Sequence, residues 1–406
     1  MKGLVLEGGG AKGSYQIGAY KALKELNIKF DGVAGTSVGA INAALILQED
    51  WDKAYELWYN INLSKIFNID EKVLKEIRNL NFNHNNIKYI YNKLKNLLDN
   101  HGIELKKIRE LLVENIDEDA IRKSGKDFGI VTINLSEMEP MELYLENIPD
   151  GSLVDYLIAS SYLPAFKMEK MQGSLYLDGG FYNNLPINLL AAKGYKEIIA
   201  VRTFAMGRVR DFEDENLNIT YISSEEDLGG VFDFKQENIR SNIDLGYYDT
   251  YRVFKKLKGE FFYIDVNHDE NSDNIYMDFF LSLRKSQLES IKEILNIREL
   301  SDERLLFEKI VPKLAVLLDV EDECDYEEIV IALLEYAAKA FEIDRFKIYR
   351  FEEFVEEISN NYYKHQELES KNIPGFVRQS DLLSQIVSDQ ILHDIIDVIF
   401  NDYKVK

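Results

Sequence analysis

The chain has 406 residues, of which 46% are hydrophobic, 29% are charged and only 6 are proline, and this composition excludes a disordered, collagen-like or low-complexity protein. The length predicts one large domain with an appendage, or two domains. The 48 basic and 71 acidic residues give a formal net charge of −23, which argues against sequence-independent binding to nucleic acid and against unassisted adhesion to an anionic bilayer.

The N-terminal part of the chain predicts a parallel α/β sheet. Gly3–Leu6 and Phe30–Gly35 are short apolar runs typical of buried strands, and Ser14–Leu26 between them has the apolar spacing of a helix. A second helix is predicted over Ala40–Leu47. Two strands joined by one helix pair in parallel through a right-handed crossover. We therefore expect the α/β class, with a mostly parallel central sheet flanked by helices in three layers.

Helical spacing then continues over residues 51–122, and we interpret this block as a helical insertion or lid at one end of the sheet. Strand patterns return at Phe128–Asn134, Met141–Leu145, Ser174–Leu177, Glu197–Val201, Ile219–Ile222 and Glu260–Val266. Helices are predicted between them at Leu153–Ser160, Pro186–Lys193 and Phe234–Leu257. The elements up to Glu197–Val201 complete the predicted sheet, and those after Arg202 follow it.

The polar segment Asn267–Asn274 predicts a domain boundary, with an α/β domain over residues 1–270 and an α-helical domain over residues 275–406. From Asp278 onward the chain has 28 acidic and 16 basic residues, a net charge of −12. Helices are predicted there over Leu281–Ile294, Leu305–Leu318, Ile329–Phe341, Phe351–Tyr363 and Asp381–Phe400. We expect this acidic helical domain to offer a surface for a protein partner.

A glycine-rich loop, Gly8–Gly13, follows the first predicted strand. Glycine lets the backbone approach a ligand closely, so that successive N–H groups at a helix N-terminus can converge on an anion. The loop also fits the dinucleotide-binding pattern G-x-G-x-x-G. That interpretation requires an acidic residue near the end of the second strand, where this chain has Gly35–Gly39 instead. A tight turn without a ligand is the other alternative.

The second motif, Gly35-Thr36-Ser37-Val38-Gly39, is a G-x-S-x-G pattern at a strand-to-helix junction, where a nucleophile elbow is expected. Glycine on both sides removes side chains that would clash in a sharp turn. The hydroxyl of Ser37 would then project at a helix N-terminus, whose dipole favours developing negative charge. A serine in this place can also serve only as a helix cap.

The third motif is Asp178-Gly179-Gly180 at the end of a predicted strand. Asp-Gly is a common turn dipeptide, but a carboxylate at a neighbouring strand end can also accept the proton of a serine hydroxyl. None of the 5 histidines follows a strand of the predicted sheet. The pattern therefore favours a Ser37–Asp178 pair over a Ser-His-Asp triad.

These motifs, in this order on an α/β core, resemble the patatin-like phospholipase family of lipid acyl hydrolases. Ala159–Phe166 and Asp178–Pro186 are also similar to segments of that family. The resemblance covers about Lys2–Val201 and does not extend to the C-terminal region. It implies hydrolysis of carboxylic ester bonds in phospholipids or related acyl lipids, with no cofactor and no metal.

Carried over residue by residue, the resemblance implies that Ser37 is the nucleophile, Asp178 is the base and an acyl-enzyme is the intermediate. The oxyanion hole would consist of backbone N–H groups of Gly8, Gly9 and Gly10. Lys12 stands where the family usually has Arg or Lys, and either support of the loop or contact with an anionic head group would explain it. The remaining motif residues are glycines that support the backbone, Gly13, Gly35, Gly39, Gly179 and Gly180.

Two alternatives to a free lipase stay open, namely a lipid-binding or scaffolding module and an enzyme that its helical tail holds inactive. The single cysteine, Cys324, cannot form an internal disulfide, and no apolar run approaches the roughly 20 residues that span a bilayer. We expect a cytoplasmic protein that touches a membrane surface transiently. Lys88, Lys93 and Lys95 in the insertion are candidates for that contact.

Overall fold

The computed structural model describes residues 1–61, 105–164, 166–167, 169–211, 216–266, 272–297, 302–320, 324–369 and 383–401. The chain divides into two units, Met1–Val253 and Phe254–Lys406. Residues 62–104 of the predicted insertion, including Lys88, Lys93 and Lys95, lie outside the described ranges.

One mixed sheet organises the first unit. Its described strands are β1 Lys2–Leu6, β2 Gly32–Thr36, β3 Asp127–Asn134, β4 Glu139–Tyr144, β5 Tyr176–Asp178, β6 Glu197–Val201 and β7 Asn218–Ile222. The order across the sheet is β4-β3-β2-β1-β6-β7. All pairs from β3 to β7 along this order are parallel, whereas β4 and β5 both run antiparallel to β3. The predicted fold class, a mostly parallel sheet with flanking helices, is confirmed.

Helices connect these strands and cover the sheet. They are α1 Ser14–Glu25, α2 Val38–Leu47, α3 Trp51–Asn60, α4 Lys106–Asn115, α5 Glu118–Lys123, α6 Leu153–Ser160, α7 Ile187–Ala192 and α8 Gln236–Lys255. Strand β2 is buried along its whole length, as expected for a central parallel strand with both faces covered. Leu189 and Leu190 of α7 pack with Val5 and Ala34 in one buried cluster, which places a helix layer against β1 and β2.

The second unit is helical with one small strand pair. Its described helices are α9 Ser272–Leu281, α10 Lys285–Ile294, α11 Asp302–Leu305, a π-helical turn Leu306–Ile310, α12 Val311–Leu317, α13 Tyr326–Ala340, α14 Phe351–Glu369 and α15 Leu383–Phe400. Strands β8 Tyr263–Asp265 and β9 Ile348–Arg350 pair in parallel. The predicted helix Leu281–Ile294 corresponds to α10, which begins only at Lys285, because Arg284 adopts an extended conformation and caps α10 together with Gln287, while Leu281 ends α9.

The division between the units precedes the polar segment at which we expected it. Residues 254–266 belong to the second unit, since β8 pairs there with β9. The buried carboxylate of Glu335 also accepts hydrogen bonds from the backbone N–H groups of Phe261 and Phe262, at 2.8 and 2.7 Å. Local polarity predicted a boundary near residue 270, but long-range strand pairing decides to which unit residues 254–266 belong.

Candidate active site

Strand β3 brings the C-terminal ends of β2 and β5 together. Thr36, the last residue of β2, pairs with Val131, and Asp178, the last residue of β5, pairs with Thr132. Strand β4 occupies the other edge of β3, so β5 must lie on the same edge as β2, beyond its end. Because β2 runs parallel to β3 and β5 antiparallel, their C-terminal ends face each other. Ser37, which follows Thr36, is therefore placed beside Asp178.

Ser37 occupies the sharp turn between β2 and α2. Its φ of 56° and ψ of −128° form a strained backbone conformation for a residue with a side chain, and the residue is buried. A Cβ atom on Gly35 would lie 2.3 Å from the carbonyl carbon and oxygen of Gly39, so the turn can close only with glycine at position 35. This is the geometry that the G-x-S-x-G pattern predicts.

The carboxylate of Asp178 is buried directly beneath the Ser37 hydroxyl. Ser37 Oγ donates a hydrogen bond to Asp178 Oδ2 at 2.7 Å, and the Gly180 N–H donates to Oδ1, also at 2.7 Å. Burial raises the pKa of Asp178 from 3.8 to about 6, while the two hydrogen bonds act in the opposite direction. The pair therefore combines a serine oxygen with a carboxylate that is more basic than an exposed one.

A second buried serine supports the strained turn. Ser160, the last residue of α6, accepts a hydrogen bond from the Ser37 N–H at 2.9 Å and donates one to the Val131 carbonyl at 2.7 Å. It thus links the turn to β3. Ser160 lies in the segment that resembled the family, but the sequence alone assigned it no role, because the contact joins residues from distant parts of the chain.

The glycine-rich loop differs in one respect from the predicted oxyanion hole. The Gly8 N–H donates to the Asn184 carbonyl at 3.1 Å, so it is already bonded within the protein. The N–H groups of Gly9 and Gly10 have no hydrogen-bond partner among the described residues. Gly10 has a φ of +56°, and a Cβ there would meet the Val231 carbonyl oxygen at 2.2 Å. Of the three backbone N–H groups in the predicted oxyanion hole, that of Gly8 is therefore bonded within the protein, and those of Gly9 and Gly10 are not bonded to any described residue.

The other predicted residues occupy supporting positions around the pair. Gly13 is the N-cap residue of α1, Gly39 lies in the first turn of α2, and Gly179 and Gly180 form the 3₁₀ turn that follows β5. The Lys12 ammonium lies 3.9 Å from the Asp227 carboxylate. This contact is consistent with a loop-supporting role for Lys12.

An apolar cavity of about 110 Å³ opens beside Ser37. Side chains of α2, α3, α4 and α6 line it, together with two loops, and they include Ile41, Leu45, Leu57, Trp58, Leu112, Ile158, Phe166 and Phe234. The indole N–H of Trp58 donates to Asn42 Oδ1 at 2.8 Å, which keeps the ring in place. Sequence periodicity identified the helices but not the cavity, which depends on how they pack. An apolar chain attached to a carbonyl group could occupy this space while the carbonyl faces Ser37.

Two further findings concern the described part of the chain. No group of three or more His, Cys, Asp or Glu side chains is placed there to hold a metal ion. No helix in those ranges combines the length and the apolar character needed to cross a lipid bilayer.

Comparisons with known proteins find similarity to residues of the first unit. A family model described as patatin-like phospholipase matches residues 4–191. "Patatin-like phospholipase domain-containing protein 7" of Mus musculus is 28% identical over 203 residues, which are 49% of this chain and 13% of that protein. "Probable lipid hydrolase 463L" of Invertebrate iridescent virus 6 is 26% identical over 246 residues, 56% of this chain and 80% of the viral protein.

Among solved structures, VipD from Legionella pneumophila aligns over 100% of this chain and 93% of its own, with 15% identity and a TM-score of 0.38, a similarity too low to support an argument. The sequence match to the mouse protein covers only 13% of that protein's length, so this chain spans a small part of such relatives. The family match nevertheless coincides with the strands and turns that hold Ser37 and Asp178. The resemblance predicted from the motifs is confirmed, since a patatin-like phospholipase family model matches residues 4–191, just under half of the chain.

Proposed function

We propose that this protein is a serine lipid acyl hydrolase that cleaves carboxylic ester bonds of phospholipids or related acyl lipids. The observation that carries the proposal is the 2.7 Å hydrogen bond from Ser37 Oγ to the buried Asp178 carboxylate, at the wall of an apolar cavity. The match of residues 4–191 to the patatin-like phospholipase family supports the same activity.

In the first step Asp178 accepts the hydroxyl proton of Ser37 while Oγ forms a bond to the ester carbonyl carbon. The carbonyl oxygen becomes an oxyanion, which the free N–H groups of Gly9 and Gly10 and the N-terminus of α2 would stabilise. Each such donor contributes roughly 3 to 4 kcal/mol to the transition state in enzymes where it has been removed. The strained turn at Ser37 keeps the oxygen in position, so little reorganisation is needed.

Collapse of the tetrahedral intermediate breaks the bond between the carbonyl carbon and the alcohol oxygen. Asp178 returns the proton to that oxygen, and the alcohol leaves with the acyl group still esterified to Ser37. A water molecule then attacks the acyl-enzyme with Asp178 as base, which releases the fatty acid and restores the serine. Two residues therefore suffice for proton transfer in both halves of the reaction.

The apolar cavity supports an acyl lipid as the substrate. A buried methylene group gains about 0.8 kcal/mol over its hydrated state, so an alkyl chain would bind the apolar walls in proportion to the length they cover. A charged or strongly polar acyl group would lose its hydration there without compensation.

The rate should depend on pH through the carboxylate of Asp178. Its pKa of about 6 means that the ionised base predominates above that pH, so kcat/KM should be constant at pH 7 to 8 and fall about tenfold for each pH unit well below 6. Steady-state hydrolysis of a soluble ester at several pH values measures this. An inflection close to 4, the ordinary value for aspartate, would contradict the desolvation of this carboxylate.

Covalent labelling combined with product analysis tests the proposed function directly. A fluorophosphonate should form one adduct per chain, which peptide mass spectrometry locates at Ser37, and labelled protein should no longer release fatty acid from phosphatidylcholine vesicles. Pre-incubation with substrate should slow the labelling. Labelling confined to another residue, or undiminished hydrolysis by fully labelled protein, would refute the mechanism.

A further inference from the structure

The segment 202–210 lies against both loops of the proposed catalytic site. Thr203 Oγ1 donates a hydrogen bond to the Gly8 carbonyl at 2.7 Å. The Arg208 N–H donates to the Gly180 carbonyl at 2.8 Å, and the Asn184 N–H donates to the Arg208 carbonyl at 2.5 Å. Whatever this segment binds is therefore held next to Ser37 and Asp178.

A buried carboxylate fixes the beginning of this segment. Glu7, which is 1% exposed, accepts hydrogen bonds from the backbone N–H groups of Thr203 at 2.7 Å and Phe204 at 3.1 Å. It also pairs with the Arg202 guanidinium at 3.1 Å. The Arg202 guanidinium in turn lies 4.5 Å from the centre of the Phe204 ring. Contacts within the protein therefore hold the backbone and the ring of Phe204 in place.

Three apolar side chains of the segment point into water despite this support. Phe204, Met206 and Val209 are 60%, 46% and 41% exposed, and they are three of the ten large apolar side chains exposed in the described part of the chain. Phe204 also has a φ of +46°, a conformation that costs a residue with a side chain free energy. Strain and exposed apolar surface both oppose folding, so their coincidence next to the site indicates a binding surface.

We propose that Phe204, Met206 and Val209, together called the apolar tip, insert into the lipid–water interface and hold the site at the surface of its substrate. The proposal rests on the proposed function, because the acyl lipid of that reaction resides in such an interface. Exposed apolar side chains beside a lipid-cleaving site gain free energy by burial in the boundary between head groups and acyl chains.

The charge around the apolar tip indicates whether it should bind anionic or zwitterionic lipid. Of the three arginines in segment 202–210, Arg202 is paired with Glu7 at 3.1 Å and Arg210 lies 3.7 Å from the Glu142 carboxylate, so both charges are already partly neutralised. Attraction to anionic lipid would therefore be weak, and the whole chain carries −23. Binding should come from apolar burial and should occur on zwitterionic phosphatidylcholine with little dependence on salt.

The test measures binding separately from hydrolysis. Full-length protein carrying Ser37→Ala, which keeps the lipid intact, is floated with phosphatidylcholine vesicles with and without Phe204→Ser, Met206→Ser and Val209→Ser together. We expect the triple change to weaken vesicle binding by roughly tenfold or more, because three partly inserted apolar side chains are lost. The matched control is Met277→Ser, Leu281→Ser and Val316→Ser, which removes exposed apolar side chains of similar size elsewhere and should leave binding unchanged.

A second measurement separates this proposal from the proposed function. With Ser37 restored, the triple change should reduce fatty-acid release from vesicles but leave hydrolysis of a soluble short-chain ester within about twofold, since no residue of the apolar tip lies in the proposed catalytic machinery. Thermal unfolding by circular dichroism confirms that each variant is folded. Three outcomes would contradict the proposed role of the apolar tip, whether or not esters are hydrolysed. The triple variant could bind vesicles as well as its parent, the control could lose as much binding, or binding could be lost only on anionic vesicles at low salt.

Discussion

Replacement of Ser37 by alanine should lower fatty-acid release by about 10⁴-fold or more, because the reaction then lacks the oxygen that forms the acyl-enzyme. The buried position needs no repacking, since alanine removes one atom and keeps the Cβ that the strained turn already accommodates. The purified variant should therefore unfold at nearly the same temperature as the wild type. Release of fatty acid from phosphatidylcholine, followed by mass spectrometry, measures the loss.

Ser161 provides a matched control in the same cavity wall. Its hydroxyl donates to the Leu157 carbonyl at 2.9 Å rather than to Asp178, so Ser161→Ala removes an identical group that has no place in the mechanism. We expect hydrolysis by this variant to fall by no more than about threefold. Wild-type activity in purified Ser37→Ala protein would refute the assignment of the nucleophile.

Replacement of Asp178 by asparagine should lower activity by about 10³-fold or more without damage to the fold, because the amide cannot accept the serine proton at neutral pH. The asparagine side chain retains an oxygen for the Gly180 N–H and presents an amide group to Ser37 Oγ. The hydrogen bonds of the turn can therefore persist while proton transfer fails. Steady-state kinetics on a soluble ester measure the effect without the complication of vesicle binding.

Asp178→Asn should also change the free energy of unfolding. The folded pKa of Asp178, about 6, lies above its ordinary value of 3.8, so the folded protein binds the proton more tightly than the unfolded chain does. The free energy of unfolding should consequently fall as pH rises through this interval, by roughly 3 kcal/mol from this group. Asp178→Asn removes that penalty above pH 6, and the variant should be at least as stable as the wild type there.

Thermal unfolding of both proteins between pH 4 and pH 8 distinguishes this outcome from ordinary structural damage. The stability advantage of the variant should be present at pH 8 and should become small toward pH 4, where the wild-type carboxyl is protonated in the folded state and partly protonated in the unfolded chain. A variant that is less stable than the wild type at pH 8 would show that the charged carboxylate contributes favourably to the fold. An active and stabilised variant would instead remove Asp178 from the mechanism.

Local sequence predicted the parts of the site whose geometry is determined over a few residues. The strand-to-helix turn at Ser37 depends on the neighbouring glycines, because a side chain at Gly35 would collide with the start of α2. Alternation between apolar runs and helical spacing likewise predicted the α/β class and the bounds of β6, Glu197–Val201. Such features follow from short-range sterics and from burial of apolar faces, both of which are visible in a single segment.

Other features could not be obtained in this way. The assignment of Gly8 as an oxyanion donor did not anticipate that its N–H bonds to Asn184, a residue far away in sequence. Ser160 received no role, because a serine at a helix end has no distinctive pattern. The exposure of the Phe204 side chain could not be predicted from the sequence either. The carboxylate that holds its backbone belongs to Glu7, which lies 197 residues earlier in the chain.

The sequence by itself therefore predicted the class of the fold, the family resemblance and the two reactive groups proposed here. Only the tertiary structure decided that these groups meet, since Ser37 and Asp178 are 141 residues apart and are joined by the end-to-end placement of β2 and β5 on one edge of β3. It also decided the cavity and the apolar tip. The physical reason is that strand register and helix packing are set by contacts between distant segments, and no local pattern specifies which distant segments those are.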